Sequence, residues 1–182
     1  MRRIKYVLAA IGFCILLSCN QNNTEESAPT VVKQPLMVVD KVDADFIATV
    51  NDIVNAEITA GKLAMVKGAD KRIKNFGRIM VKDYTKGLAK LNKLASTKRI
   101  PLPDTLAAAT QSKIAGLNKM SGKDFDRAYI AYITSDHESA IPIFEKAQKN
   151  CFDKEIKTTA RKGILVFKRH LEAIFAINES MR

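Results

Sequence analysis

Histidine, cysteine and glycine are scarce in this chain, with two, three and eight copies in 182 residues, and each scarcity closes a class of chemistry. The eight glycines stand singly, so there is no glycine-rich loop to wrap a phosphate. No Gly-x-Ser-x-Gly elbow occurs, and no motif sets a histidine beside a serine or cysteine nucleophile. The paired Glu-x-x-His signature of di-iron bundles is also missing: Glu57 is followed at three by Ala60 and Glu138 by Ile141, while Thr134 precedes His137 and Phe167 precedes His170 at the same spacing. Nothing here assigns catalysis. Runs with the two-residue period of a strand are absent, which leaves an all-α chain.

No apolar run is long enough to span a bilayer. Arg2, Arg3 and Lys5 precede the uncharged stretch Tyr6 to Leu17, which is shorter than the roughly 20 residues a spanning helix needs and has the form of an export signal. It ends Leu16-Leu17-Ser18-Cys19, similar to the bacterial lipobox, in which cleavage falls before an acylated cysteine. The expected organisation is therefore a lipoprotein signal peptide over 1–18, a polar tether with Pro29 and Pro35 over 19–39, and one folded domain over 40–182. An ordinary cleaved signal is the alternative. Asn20, in place of the aspartate that marks inner-membrane retention, favours an outer membrane lipoprotein facing the periplasm or the cell surface. With Cys14 in the signal and Cys19 acylated, Cys151 has no disulfide partner and is expected as a small residue in an interhelical turn.

Acidic residues are outnumbered, 19 against 30, and cleavage removes Arg2, Arg3 and Lys5 from the larger group, which leaves an excess of eight positive charges. Anionic partners such as lipopolysaccharide, lipid head groups or acidic polymers fit that balance, as does a plain solvated surface with lysines spread over every helix. Without a reading motif, an exported basic chain is not expected to bind nucleic acid.

What the chain does have is helical periodicity. Asp43 or Asp45 is placed to cap a first helix with Phe46, Val50, Ile53, Val54, Ile58 and Ala64 in phase, ending near Gly68. Asp70 would cap a second, through Ile73, Phe76, Met80, Leu91 and Leu94. Ile100-Pro101-Leu102-Pro103 ends it, since prolines lack the donor and restrain the preceding residue. Asp104 is expected to cap a short helix in the crossover. Ser121 with Asp124 has the form of a capping box for a long third helix that contains Pro142 and should kink there. Asp153 would cap the last, with Ile156, Ala160, Phe167 and Ile174 in phase. The expected fold is a ferritin-like four-helix bundle with a long crossover containing a short extra helix.

Polar residues interrupt those stripes. Glu57, Asp83, His137 and His170 are the metal-ligand candidates, and Tyr84 and Asp136 are expected as structural polar groups in the core. Counted from the interhelical turns at about 1.5 Å per residue, Glu57, Asp83 and His137 share a level and His170 sits about a turn and a half away. A charge isolated in such a core costs several kcal/mol, so these groups need partners. The expected solution is a hydrogen-bonded layer that fixes helix register with no cofactor. The alternative is a site for iron, zinc or manganese, which suit carboxylate and imidazole.

The segments TVNDIVNAEITAGKLA, VKDY, IPLP, SGKDFDRAYI, DHE and FKRHL, in this order, resemble the bacterial envelope family catalogued as domain of unknown function 4142. The resemblance runs from about Ala44 to Ile174 and implies a ferritin-like bundle in the cell envelope without an established activity. Glu57, His137 and His170 match that family's core acid and histidines, whereas Asp83-Tyr84 stands where Asp-His is usual, which removes one imidazole. The chain is thus expected to be a lipid-anchored envelope protein that works as a binding or structural module, or else a degenerate metal-binding bundle with a redox or stress-response role.

Overall fold

The computed structural model describes residues 39–181. The signal segment, Cys19 and all but the last residue of the expected tether lie outside the described residues. Five helices follow in order: α1 Lys41–Lys67, α2 Lys71–Lys98, α3 Ala108–Asn118, α4 Gly122–Asn150 and α5 Lys154–Ser180. The residues at three- and four-residue apolar spacing are the ones that leave water. Phe46, Phe76, Phe125, Tyr129, Phe167 and Ile174 are all buried, each contributing about 1.5–3 kcal/mol of transfer free energy.

Contacts between helix ends set the topology. Asp126 at the start of α4 meets the α1–α2 turn, and Asp43 at the start of α1 meets the α4–α5 turn, so α1 and α4 run antiparallel. Arg72 at the start of α2 donates to the Ser180 carbonyl at 2.6 Å, and Lys98 at its end pairs with Asp153 at 2.6 Å, so α2 and α5 do too. Two helical hairpins are joined by a crossover that carries α3 beside α1. This is the ferritin-like bundle expected. α4 continues without a break through Pro142.

Several caps differ from the sequence expectation. The N-cap of α1 is Asp40, whose carboxylate accepts the Val42 N–H at 2.7 Å. Asp43 is buried and accepts the N–H groups of Phe152 and Asp153 at 2.8 and 2.9 Å, while Asp45 pairs with Lys41 on the surface. Asp104 caps nothing: Asp52 of α1 accepts the Ala107 N–H at 2.7 Å and the Thr110 hydroxyl at 2.6 Å, and so starts α3 from a neighbouring helix. The capping box at Ser121 does not form. Its side chain makes no cap bond, Asp124 pairs with Arg127, and Gly122 takes a φ of +61° that only glycine adopts freely. Asp70 and Asp153 cap α2 and α5 as expected.

Asp43 and Asp126 are counterparts. Each stands near the start of the helix that opens a hairpin, and each clasps the turn of the other hairpin. The residues involved are related by one shift of 83 positions: 43 to 126, 69 to 152 and 70 to 153. α1 and α2 also approach to backbone contact, since a Cβ added to Gly77 would lie 2.7 Å from the Gly61 carbonyl oxygen.

The capping carboxylates make stability depend on acid. The Asp70 carboxyl is held down to about 2 by hydrogen bonds from the Arg72 side chain and backbone. Asp153 is also lowered, with Lys98 and the N–H groups of Glu155 and Ile156 outweighing its partial burial. A depressed carboxyl contributes fully above its unfolded value near ~3.9 and loses that contribution as pH falls toward the folded value. Helical circular dichroism is therefore expected to hold to about pH 4 and decline below it, and Asp70→Asn/Asp153→Asn protein should show a shallower acid transition.

Candidate metal centre

Midway along the bundle, α1 and α4 bring Glu57, Asp136 and His137 together, with one ligand atom from each within 4.8 Å of the others. Glu57 and His137 are completely buried and Asp136 is half-buried. His137 Nδ1 lies 3.7 Å from Glu57 Oε1, beyond hydrogen-bond reach, and its Nε2 is 3.1 Å from the Tyr84 hydroxyl on α2. The Phe167 ring closes over the imidazole, with centroids 4.9 Å apart. With Glu57 and Asp136 ionised, both Glu57 oxygens, Asp136 Oδ2 and His137 Nδ1 are buried without a hydrogen-bond partner, and the Tyr129 and Tyr132 hydroxyls share that condition.

The electrostatics follow from burial. Glu57 is raised well above the usual carboxylate range, first by desolvation and then by the neighbouring Asp136 carboxylate, through its charge and through the hydrogen bond that a protonated Glu57 makes to it. His137 is pushed down to about 3 by burial and by the nearby His170 imidazole. Tyr84 and Tyr129 are raised by burial and by the Glu57 charge. Burial thus favours the neutral forms of Glu57 and His137.

Of the four ligand candidates from the sequence, two are here and two are not. Asp83 turns to α5, where its Oδ2 is 2.9 Å from Arg169 and 3.0 Å from His170 Nε2. The level expected for Asp83 was a height along the axis. Its direction differs, because one residue from Tyr84 is a 100° turn, and that puts Asp83 at the exposed α2–α5 seam. His170 is buried and touches the Tyr84 ring at 5.3 Å, while its Nδ1 has no partner. Its pKa is lowered by burial, against the pull of Asp83. Asp136, expected as a structural polar group, sits among the three potential ligands; its place beside His137 in the Asp-His-Glu triplet was the available signal. Cys151 closes α4 as a buried residue in the turn, its thiol pushed up to about 12 by burial and by the Asp43 carboxylate, far from nucleophilic chemistry.

The profile of the family described as "Domain of unknown function (DUF4142)" matches residues 28–177. The chain belongs to the DUF4142 family. No curated protein matches it by sequence. Among solved structures this DUF4142 bundle is similar to a DUF305 fragment from Deinococcus radiodurans, with TM-score 0.69 and 7% identity over 76% of this chain and 96% of that one. It is also similar to CopM in the Cu(I)-bound form, with TM-score 0.64 and 14% identity over the same shares of the two chains. A DUF305 protein from Streptomyces coelicolor has TM-score 0.62 and 12% identity, over 73% and 89%. At these identities the likeness is one of fold.

Proposed function

We propose that this DUF4142 chain is a lipid-anchored, extracytoplasmic bundle, placed at the outer membrane, whose core binds one divalent cation through Glu57, Asp136 and His137. The observation that carries the proposal is the convergence of ligand atoms from three side chains, all within 4.8 Å of one another, inside a core where polar groups left unpaired cost about 1–3 kcal/mol apiece. A dication turns each of them into a ligand. When His137 binds through Nδ1, its Nε2–H donates to the Tyr84 hydroxyl, the outer-shell contact that fixes the orientation of a ligating imidazole. Phe167 and the helix walls keep the pair dry.

Two carboxylates and an imidazole suit zinc, manganese or iron(II). CopM holds Cu(I), an ion that prefers thiolate and thioether sulfur. Neither group belongs to this cluster, so copper is not the expected ion. The anchor rests on the lipobox at Cys19.

The mature chain, purified without chelator, is expected to carry or take up one equivalent of zinc, manganese or iron by elemental analysis. Glu57→Gln and His137→Phe proteins should retain less than about a tenth of it. A metal-free wild type with an unchanged melting temperature on titration overturns the proposal and leaves the cluster as a register-fixing layer.

A further inference from the structure

We infer that the α2–α5 side of the bundle is a docking surface for anionic phospholipid headgroups. Charge is divided unequally among the helices, against the even spread that composition suggested. α2 has nine Lys and Arg against the single acid Asp83, and α5 has six against three. α1 has three against four, and α4 four against five. Because α2 and α5 meet through Asp83, Arg169, Lys98 and Asp153, the whole excess falls on one side of the molecule.

On α2 the pattern becomes a ridge. Lys74, Arg78, Lys82, Lys86, Lys90 and Lys93 follow one another at steps of four, four, four, four and three, so each is a surface neighbour of the next along about 29 Å of helix. Lys74 is half-buried and the other five are exposed. Among the described residues none of the six pairs with a carboxylate. Asp83 is turned into the seam and occupied by Arg169 and His170. Like charges four apart weaken a helix, so the ridge works against folding until an anionic surface lies on it.

The row inclines around the helix, but at 100° per residue Arg78, Lys82, Lys86 and Lys93 stay within about 80° of one another, and such a strip matches a planar array of charges better than a single small anion. A second copy presents, on its α1–α4 side, only one excess acid per helix, too little to complement the ridge. The choice of lipid rests on the anchor reading: residues 20–38 separate Cys19 from the bundle and, at no more than ~3.5 Å each, keep it within roughly 65 Å of the bilayer. A tether of that length lets the bundle reach the bilayer, and in contact with it each basic group gains about 1 kcal/mol from anionic headgroups.

The test uses the mature chain from residue 19 with Cys19→Ser, so that no acyl group contributes, sedimented with vesicles of phosphatidylcholine alone or with about one third phosphatidylglycerol at ~0.1 M salt. Binding is expected only to the phosphatidylglycerol vesicles. Arg78→Gln/Lys82→Gln/Lys86→Gln/Lys93→Gln is expected to lower partitioning by at least about tenfold. Lys62→Gln/Lys123→Gln/Lys146→Gln/Lys149→Gln, which removes the same charge from α1 and α4, should stay within about threefold of wild type. No binding by the parent chain, or equal losses in both variants, overturns the inference. Binding to soluble dextran sulfate with none to vesicles reassigns the ridge to a polyanionic polymer and overturns the lipid assignment. Detergent partitioning of Cys19→Ala against wild-type protein tests the anchor separately, so the two ideas fail independently.

Discussion

Metal-free protein carrying Glu57→Met is expected to melt roughly 3–10 °C above wild type and to lose its thermal response to zinc, manganese and iron(II). Glu57 is completely buried, and burial together with Asp136 drives it toward the protonated form. Replacing such a group by an apolar side chain of similar volume commonly stabilises by about 1–3 kcal/mol, and for a chain of this size each kcal/mol is worth about 2–4 °C. The same substitution removes a ligand, so gain in the apo form and loss of metal response should appear together, the mark of a site whose function works against stability. Scanning calorimetry with and without metal reads both. A variant that melts below wild type in the absence of metal identifies Glu57 as a member of a satisfied hydrogen-bonded layer and rejects the cation site.

Asp126→Ala is expected to cost about 2–4 kcal/mol of unfolding free energy in urea titrations. Asp126 is 1% exposed and accepts the Ala69 and Asp70 N–H groups at 3.0 and 2.9 Å, so truncation leaves two donors unmatched at a tight turn. Asp43→Ala should behave alike at the opposite end, and the double variant should lose the sum to within about 0.5 kcal/mol because the two clasps share no partner. Asn at either position keeps one acceptor and is expected to recover roughly half. A loss below about 1 kcal/mol means that water replaces the carboxylate and that the clasps are dispensable.

The helices were legible because burial selects residues at three- and four-residue spacing, and Phe46, Phe76, Phe125 and Phe167 all obey it. Caps were less so. Asp43 and Asp45 are the sequence candidates for the first cap, and Asp40 takes it; only the position of the other hairpin decides that Asp43 reaches Phe152 and Asp153 instead of its own helix. Asp52, which starts α3 across a gap of more than fifty residues, had no local signal at all. In the site, Glu57 and His137 were visible as polar residues on apolar stripes. The diversion of Asp83 to Arg169 and His170 was not, since it depends on which neighbour α2 turns that edge toward. For the same reason the basic ridge emerges only once α2 and α5 are known to be side by side.

The reciprocal clasps at Asp43 and Asp126 give the two hairpins a twofold correspondence. An α1–α2 hairpin taken alone holds both halves of the clasp, an aspartate in its first turn and two free N–H groups in its own interhelical turn, and a twofold-related copy satisfies both at once. The constant shift of 83 residues gives the two hairpins the same clasp at opposite ends of the bundle. The core does not repeat it: the position 83 residues after Glu57 is Ala140, so the carboxylate that the first hairpin brings to the core has no counterpart in the second.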